Sequence, residues 1–166
     1  NDGYHVLITD TDSHRVLKVY SPTKENVWQY GETRVMGSSE GRLGHPRSAV
    51  QTPDKTILIT DQYSGRVIEV DEYQQILWSF GGWDSGMNPL NAPYYAMKTK
   101  EGNVLITDWS NHYIIEVNPN GEIVWQYGTL KNPGSAPHQL MYPERAVRLD
   151  NGHTLVVDTR NHRILE

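Results

Sequence analysis

The segment Ile8-Thr9-Asp10 returns along the chain as Ile59-Thr60-Asp61, Ile106-Thr107-Asp108 and Val156-Val157-Asp158, at intervals of 51, 47 and 50 residues. A second marker keeps the same register: Val27-Trp28-Gln29-Tyr30-Gly31 is followed by Leu77-Trp78-Ser79-Phe80-Gly81 and Val124-Trp125-Gln126-Tyr127-Gly128. A third, Pro46-x-x-Ala49-Val50, recurs as Pro93-x-x-Ala96-Met97 and Pro143-x-x-Ala146-Val147. Three markers in one order establish an internal repeat of about fifty residues, a unit that buries its apolar faces by stacking on its neighbours.

Each repeat holds four short β-type runs separated by turn residues, and no window sustains the i, i+3, i+4, i+7 pattern of a helix. In the third copy the spacing predicts strands at Tyr94–Lys98, Asn103–Thr107, Tyr113–Asn118 and Glu122–Gly128. Turns fall at Glu101-Gly102, at Asp108 to His112 and at Pro119-Asn120-Gly121, whose Asn-Gly pair favours positive φ in a tight hairpin. Runs such as Leu105-Ile106-Thr107, apolar at successive positions, suit strands covered on both faces. The expected fold is therefore all-β: a β-propeller of four-stranded antiparallel blades, three repeats plus part of a fourth, with at least thirteen strands and no helix longer than two turns. The blades fall at 46–81 and 93–128, flanked by partial blades at 1–31 and 143–166. The first partial blade supplies the second to fourth strands and the last supplies the first to third, so they do not merge into one. Closure of a ring then calls for further blades, from a longer chain or from a homo-oligomer, because open blade faces leave apolar surface in water.

Composition sets the outer bounds. The 166 residues carry 37% hydrophobic and 21% charged side chains, ordinary proportions for a globular protein. A net charge of -5 without a Lys/Arg cluster argues against nucleic acid or an anionic membrane as partner. The absence of cysteine excludes disulfides, thiolate metal sites and Cys nucleophiles. Apolar runs such as Val104 to Ile106 are too short to span a bilayer, and no basic stretch followed by an apolar one opens the sequence. The expectation is a soluble chain, extracellular or periplasmic in setting.

Two stretches carry a family resemblance: Ile106-Thr107-Asp108-Trp109-Ser110-Asn111-His112-Tyr113-Ile114-Ile115-Glu116-Val117, and Val157-Asp158-Thr159-Arg160-Asn161-His162-Arg163-Ile164-Leu165-Glu166. They resemble the NHL repeat, named for Asn-His-Leu. The blades are also similar to the propellers of bacterial aryl-sulfotransferase-like proteins, which carry an Ile-Val-Trp strand. The resemblance spans essentially the whole chain. It implies a propeller but no single activity, since such propellers include binding modules, lyases, lactonases and sulfotransferases. Ser13-His14 and Ser64-Gly65 replace Asn-His in the first two copies, and Ile or Val replaces the Leu.

The residues that repeat read as structural. The Asp closing each Ile-Thr-Asp run is better placed to accept turn amides, and to pair with Arg15, Arg66 or Arg163 five residues on, than to build a metal ring or serve as a general base. His14, His112 and His162 occupy one turn position in separate blades, which suits turn hydrogen bonds better than a shared metal. Trp28, Trp78 and Trp125, alternating with Tyr30, Phe80 and Tyr127, suit packing between outer strands better than carbohydrate stacking. No Gly-x-Ser-x-Gly, Gly-Lys-Ser/Thr or His-Glu-x-x-His signature occurs, and Asp150-Asn151-Gly152 reads as a hairpin turn rather than a calcium loop.

The residues that fail to repeat point to function. Between the recurring Pro and Ala of each innermost strand stand Arg47-Ser48, Tyr94-Tyr95 and Glu144-Arg145, preceded by His45, Ala92 and Tyr142. Side chains that hold a blade together recur with it, whereas those facing one asymmetric ligand have no reason to. The expected site is a channel mouth of His45, Arg47, Ser48, Tyr94, Tyr95, Tyr142, Glu144 and Arg145, walled by the connections from Glu32 to His45 and from Thr129 to Tyr142, with His138 as an additional contact. This favours a non-catalytic scaffold for a protein or small polar ligand with an anionic or planar part, requiring no cofactor. The alternatives are a lactonase- or aryl-sulfotransferase-type enzyme, the only setting in which calcium or zinc is expected, and a building block of a larger assembly.

Overall fold

The computed structural model describes residues 4–83 and 89–166. Four antiparallel sheets follow one another along the chain. The first holds β1 (His5–Asp10), β2 (Arg15–Tyr20) and β3 (Glu25–Tyr30); the second holds β4 (Pro46–Gln51), β5 (Ile57–Asp61), β6 (Arg66–Val70) and β7 (Ile76–Gly81). The third holds β8 (Pro93–Lys98), β9 (Val104–Asp108), β10 (Tyr113–Val117) and β11 (Ile123–Gly128), and the fourth β12 (Pro143–Arg148), β13 (Thr154–Asp158) and β14 (Arg163–Leu165). Within each sheet, strands pair in sequence order. Fourteen strands and two single turns of 3-10 helix, at Thr11–Ser13 and Thr159–Asn161, are found among the described residues, which agrees with the all-β, four-stranded blades expected.

Every residue of β5 and β9 is buried, so the apolar residues at successive positions mark strands covered on both sides. Alternation along each strand assigns its side chains to two neighbours. Ile57 and Ile59 turn back to Val16, Tyr30 and Leu43, while Leu58 turns forward to join Ala96, Val104, Ile106 and Ile115. Leu105 and Ile114 in turn reach forward to Ala146 and Val156. The Trp of each outer strand stacks on the aromatic two residues later, at 6.3 Å for Trp28–Tyr30, 6.2 Å for Trp78–Phe80 and 6.4 Å for Trp125–Tyr127. These rings pack against the same inter-sheet clusters, the packing role expected for them. A further repeat, Leu43, Leu90 and Leu140, anchors the connection into each following sheet and is buried in all three copies.

Ion pairs span two of the interfaces: Lys98 of β8 meets Glu69 of β6 at 2.7 Å, and Arg148 of β12 meets Glu116 of β10. The Pro119-Asn120-Gly121 turn differs in detail from a two-residue Asn-Gly hairpin. Only Gly121 has positive φ, and the Asn118 carboxamide caps the turn by accepting the Asn120 and Glu122 amides at 3.0 and 2.9 Å. The β10–β11 register shift at Glu116/Val117 absorbs the extra residue as a bulge.

The two end sheets break the burial pattern although they keep the sequence pattern. Val6 and Ile8 are 39% and 40% exposed, against 4% and 0% for their equivalents Ile57 and Ile59. Ile164 is 66% exposed, against 0% for its equivalent Ile114. Among the described residues no strand of the fourth sheet packs broadly on a strand of the first. Ile114→Ala should therefore destabilise the chain by about 2–5 kcal/mol, the range for deleting a buried Ile, whereas Ile164→Ala should change stability by no more than about 0.5 kcal/mol. Urea unfolding monitored by tryptophan fluorescence measures both.

Candidate functional site

Each blade's mouth is assembled around the carboxylate that closes its second strand. Asp61, fully buried, accepts the Arg66 Nε–H at 2.9 Å and the backbone N–H of Gly44 at 2.5 Å. Asp158 accepts the Arg163 Nε–H at 2.8 Å, the Asn161 side-chain amide at 2.7 Å and the Met141 N–H at 2.7 Å. Asp108 lacks an Arg partner because Tyr113 stands in that place; it accepts the Asn91, Ala92 and Asn111 backbone amides at 2.7, 3.1 and 3.0 Å and the Asn111 side chain at 3.1 Å. Tyr113 reaches past it to donate its hydroxyl to the Pro89 carbonyl at 2.5 Å. One side chain thus binds the turn after its own strand to the connection arriving from the previous sheet. Burial pushes the Asp61 and Asp108 carboxyls above the ordinary carboxylate range, while the Arg15 guanidinium, at 2.9 Å, holds the partly exposed Asp10 below it.

The histidines complete the connection. The fourth turn residue is left-handed in every copy: φ is 57° at His14, 60° at Gly65, 58° at His112 and 52° at His162, which explains how Gly substitutes for His in the second copy. From this position His14 Nδ1 accepts the His45 N–H at 3.3 Å and His112 Nδ1 accepts the Tyr142 N–H at 3.1 Å, so each imidazole locks the first residues of the next sheet. Burial holds the His112 pKa below its ordinary 6.5, and the Asp158 charge opposes this only in part.

The connection so fixed leads directly into a bulge at the start of each innermost strand. Register shifts between Pro46 and Ser48, Pro93 and Tyr95, and Pro143 and Arg145 leave Arg47, Tyr94 and Glu144 outside the ladder and turned to the mouth. All three line a cavity of about 790 Å³, within the size range of small-molecule sites. The Arg47 guanidinium lies 5.1 Å from the Tyr94 ring centre and donates through Nε to Gln62 Oε1 at 2.6 Å, which leaves its two terminal nitrogens without a described acceptor. Tyr94 continues into an aromatic series, with Trp109 at 6.5 Å and Tyr142 a further 4.3 Å beyond. Trp83 also lines the cavity and donates its indole N–H to the Tyr63 carbonyl at 2.7 Å, and both residues stay more than half exposed.

None of the other expected site residues lines this cavity, although His45 and Tyr142 touch residues that do. His45 stacks on Tyr63 at 4.2 Å, Tyr142 backs Trp109, and Ser48 is bonded to Thr60. Arg145 covers the Tyr95 ring at 4.5 Å, linking adjacent innermost strands. His138 lies elsewhere, 5.5 Å from Tyr127 of the outer strand β11, and is not among the cavity-lining residues. Of the two connections expected as walls, the first lines the cavity through Met36, Gly37, Ser38 and Gly44; the second contributes no lining residue among those described. Gln62, Tyr63, Trp109, Ser110 and Arg160, from the turns after the second strands, line the cavity but escaped the sequence reading. Their signal was present: the two residues after the repeated Asp change from Gln62-Tyr63 to Trp109-Ser110 to Thr159-Arg160. No three His, Asp or Glu side chains converge as a metal set among the described residues.

No protein-family model matches the chain, and no curated protein sequence matches it. Among solved structures, a streptogramin B lyase superposes with a TM-score of 0.69 at 14% identity, over 96% of this chain and 46% of that one. Virginiamycin B lyase from Staphylococcus aureus gives 0.66 at 16% identity, over 100% and 52%, and the WD40 β-propeller domain of Doa1 gives 0.61 at 10%, over 100% and 50%. At these identities the likeness concerns the fold: the blades are those of a β-propeller. The chain spans about half the length of these structures.

Two measurements test this scaffold. Asp108→Asn turns an NH2 group toward N–H donors and should cost about 2–3 kcal/mol of stability, read from the urea midpoint. For His112 the folded pKa lies below the unfolded one, so its contribution to stability is fully present above about pH 6.5 and is lost as pH falls through the folded pKa. His112→Asn keeps an acceptor and tolerates positive φ but does not titrate. The stability difference between wild type and this variant should shrink from pH 8 to pH 5, and a constant difference contradicts the assignment.

Proposed function

We propose that this chain is a non-catalytic ligand-binding propeller, of NHL type, whose mouth takes a small planar organic anion. The observation that carries the reading is the imbalance of hydrogen-bonding groups in the 790 Å³ cavity. Among the described residues, the terminal nitrogens of Arg47, the guanidinium of Arg160 and the indole N–H of Trp109 have no acceptor, and Glu144 is the single carboxylate in the lining. A surface rich in unpaired donors beside the Tyr94–Trp109 series fits a ligand that brings acceptor oxygens and a flat face. The NHL reading is supported by Asn111-His112 and Asn161-His162, whose Asn side chains bind the repeated Asp at 3.1 and 2.7 Å.

Glu144 supplies selectivity, because its charge opposes anions that do not also offer it a donor. Arg145 and Tyr95, paired along the innermost strands, extend the cationic and aromatic character of the site.

The probe is 1-naphthoate, titrated by calorimetry. One site per chain is expected. Arg47→Ala should weaken binding by roughly tenfold or more, the loss for a charge-assisted hydrogen bond, with the native circular-dichroism spectrum retained. Full-strength binding by this variant places the site elsewhere. Turnover of p-nitrophenyl sulfate or of a γ-lactone, with or without added calcium or zinc, overturns the non-catalytic reading.

A further inference from the structure

We propose that the ligand of the mouth is a zwitterion, a planar aromatic acid that carries an ammonium group at the end opposite its carboxylate, with Glu144 as the receptor for the ammonium. The inference rests on the reading of the cavity as an anion site and names what else the ligand must carry. It starts from the three bulged residues. The innermost strand β8 packs against both β4 and β12, and those two do not pack broadly on each other. Across adjacent strands the bulges therefore present, in order, the Arg47 guanidinium, the Tyr94 ring and the Glu144 carboxylate. Opposite charges line one cavity from the two strands that flank the strand of the ring.

Opposite charges free to meet in a cavity pair with each other; these do not. Among the described residues, the Glu144 carboxylate has neither a hydrogen bond nor an ion pair, although Arg47 and Arg160 line the same cavity. Comparison of the repeats shows why it stays free. In the second sheet the bulged residue is held by the first residue of the turn after the second strand, where Arg47 donates to Gln62 at 2.6 Å. The equivalent of Gln62 in the fourth sheet is Thr159. Its short side chain makes no bond to Glu144, and its hydroxyl is buried without a partner.

A free carboxylate in an anion site works against the affinity of any simple anion, because it repels the ligand's own charge. The conflict disappears when the ligand brings a cation to it. A carboxylate then meets the unpaired terminal nitrogens of Arg47, a flat ring lies along Tyr94, which the Arg47 guanidinium already approaches to 5.1 Å, and an ammonium donates to Glu144. Because β8 separates the strands of the two charged residues, the ligand's charges belong at opposite ends of its ring and not on one carbon as in an α-amino acid.

The probes are 4-(aminomethyl)benzoate and 4-ethylbenzoate, which share ring, carboxylate and shape and differ by an ammonium in place of a methyl group. In calorimetric titrations of the intact chain near neutral pH, the ammonium compound should bind roughly tenfold tighter, the gain from one charge-assisted hydrogen bond. Glu144→Gln should cancel this preference, weakening 4-(aminomethyl)benzoate and tightening 4-ethylbenzoate, with the native circular-dichroism spectrum retained. Glu144→Lys should go further and prefer terephthalate to 4-(aminomethyl)benzoate. The 3-(aminomethyl)benzoate isomer, whose charges lie closer together, should bind the wild type more weakly than the 4-isomer. Equal binding of the two probes by the wild type, a preference that survives Glu144→Gln, or a 3-isomer that binds as tightly as the 4-isomer overturns the proposal. In those cases Arg47-dependent binding of 4-ethylbenzoate leaves the anion reading standing. Binding of neither probe, or binding indifferent to Arg47→Ala, overturns both.

Discussion

The buried carboxylate at the end of β5, β9 and β13 is the interaction on which both blade and mouth depend. A charge away from water persists only where donors surround it, and here those donors belong to two segments that the carboxylate bridges. Gly44, Asn91 and Met141 come from the connection arriving from the previous sheet; Arg66, Asn111 and Arg163 come from the turn beyond. The polar lock therefore fixes where the connection crosses the blade. Burial of Leu43, Leu90 and Leu140 adds stability without direction, whereas the hydrogen bonds to the carboxylate set a position. The third copy shows that the requirement is donors rather than a countercharge: Tyr113 replaces the Arg, and Asn111 with two backbone amides takes over.

From that fixed point the cavity lining follows by geometry. The connection enters a proline, the ladder bulges at the next residue, and the bulged side chain is turned out of the sheet toward the shared mouth. Because the bulge removes this residue from blade packing, Arg, Tyr and Glu are all tolerated there. The same freedom applies to Gln62, Trp109 and Thr159, first after the buried Asp, in turns whose backbone is held by the carboxylate and by the left-handed fourth residue. Rigid backbone with unconstrained side chains is the combination that lets one scaffold present different chemistry from each blade.

The interfaces between sheets combine a directionless apolar row with a few directional locks. Ile59, Leu58 and Leu105 exclude water, while Lys98–Glu69, Arg148–Glu116 and the His14 and His112 acceptors set the relative height of neighbouring sheets. The first interface lacks the ion pair, with Lys18 and Gln51 at the equivalent positions, and the second lacks the imidazole, with Gly65 there. No single lock is indispensable, since each interface retains another and all share the apolar row.

The sequence by itself determined the blade: the repeat interval, the strands to within a residue in the third copy, the structural role of the repeated Asp, His and Trp, and the innermost-strand positions Arg47, Tyr94 and Glu144. These are legible because a local period of two and a repeat of about fifty residues are written directly in the order of the side chains. Only the tertiary structure decided which variable residues share a cavity. It brought Trp83 and the turn residues Gln62, Tyr63, Trp109 and Arg160 to the mouth and left His138 beside Tyr127. It also decided that Ile114 is buried and Ile164 exposed although both carry the same signal. The physical reason is that convergence and burial depend on what the neighbouring sheet supplies, and a repeat sequence states the same request at every copy whether or not that neighbour is there.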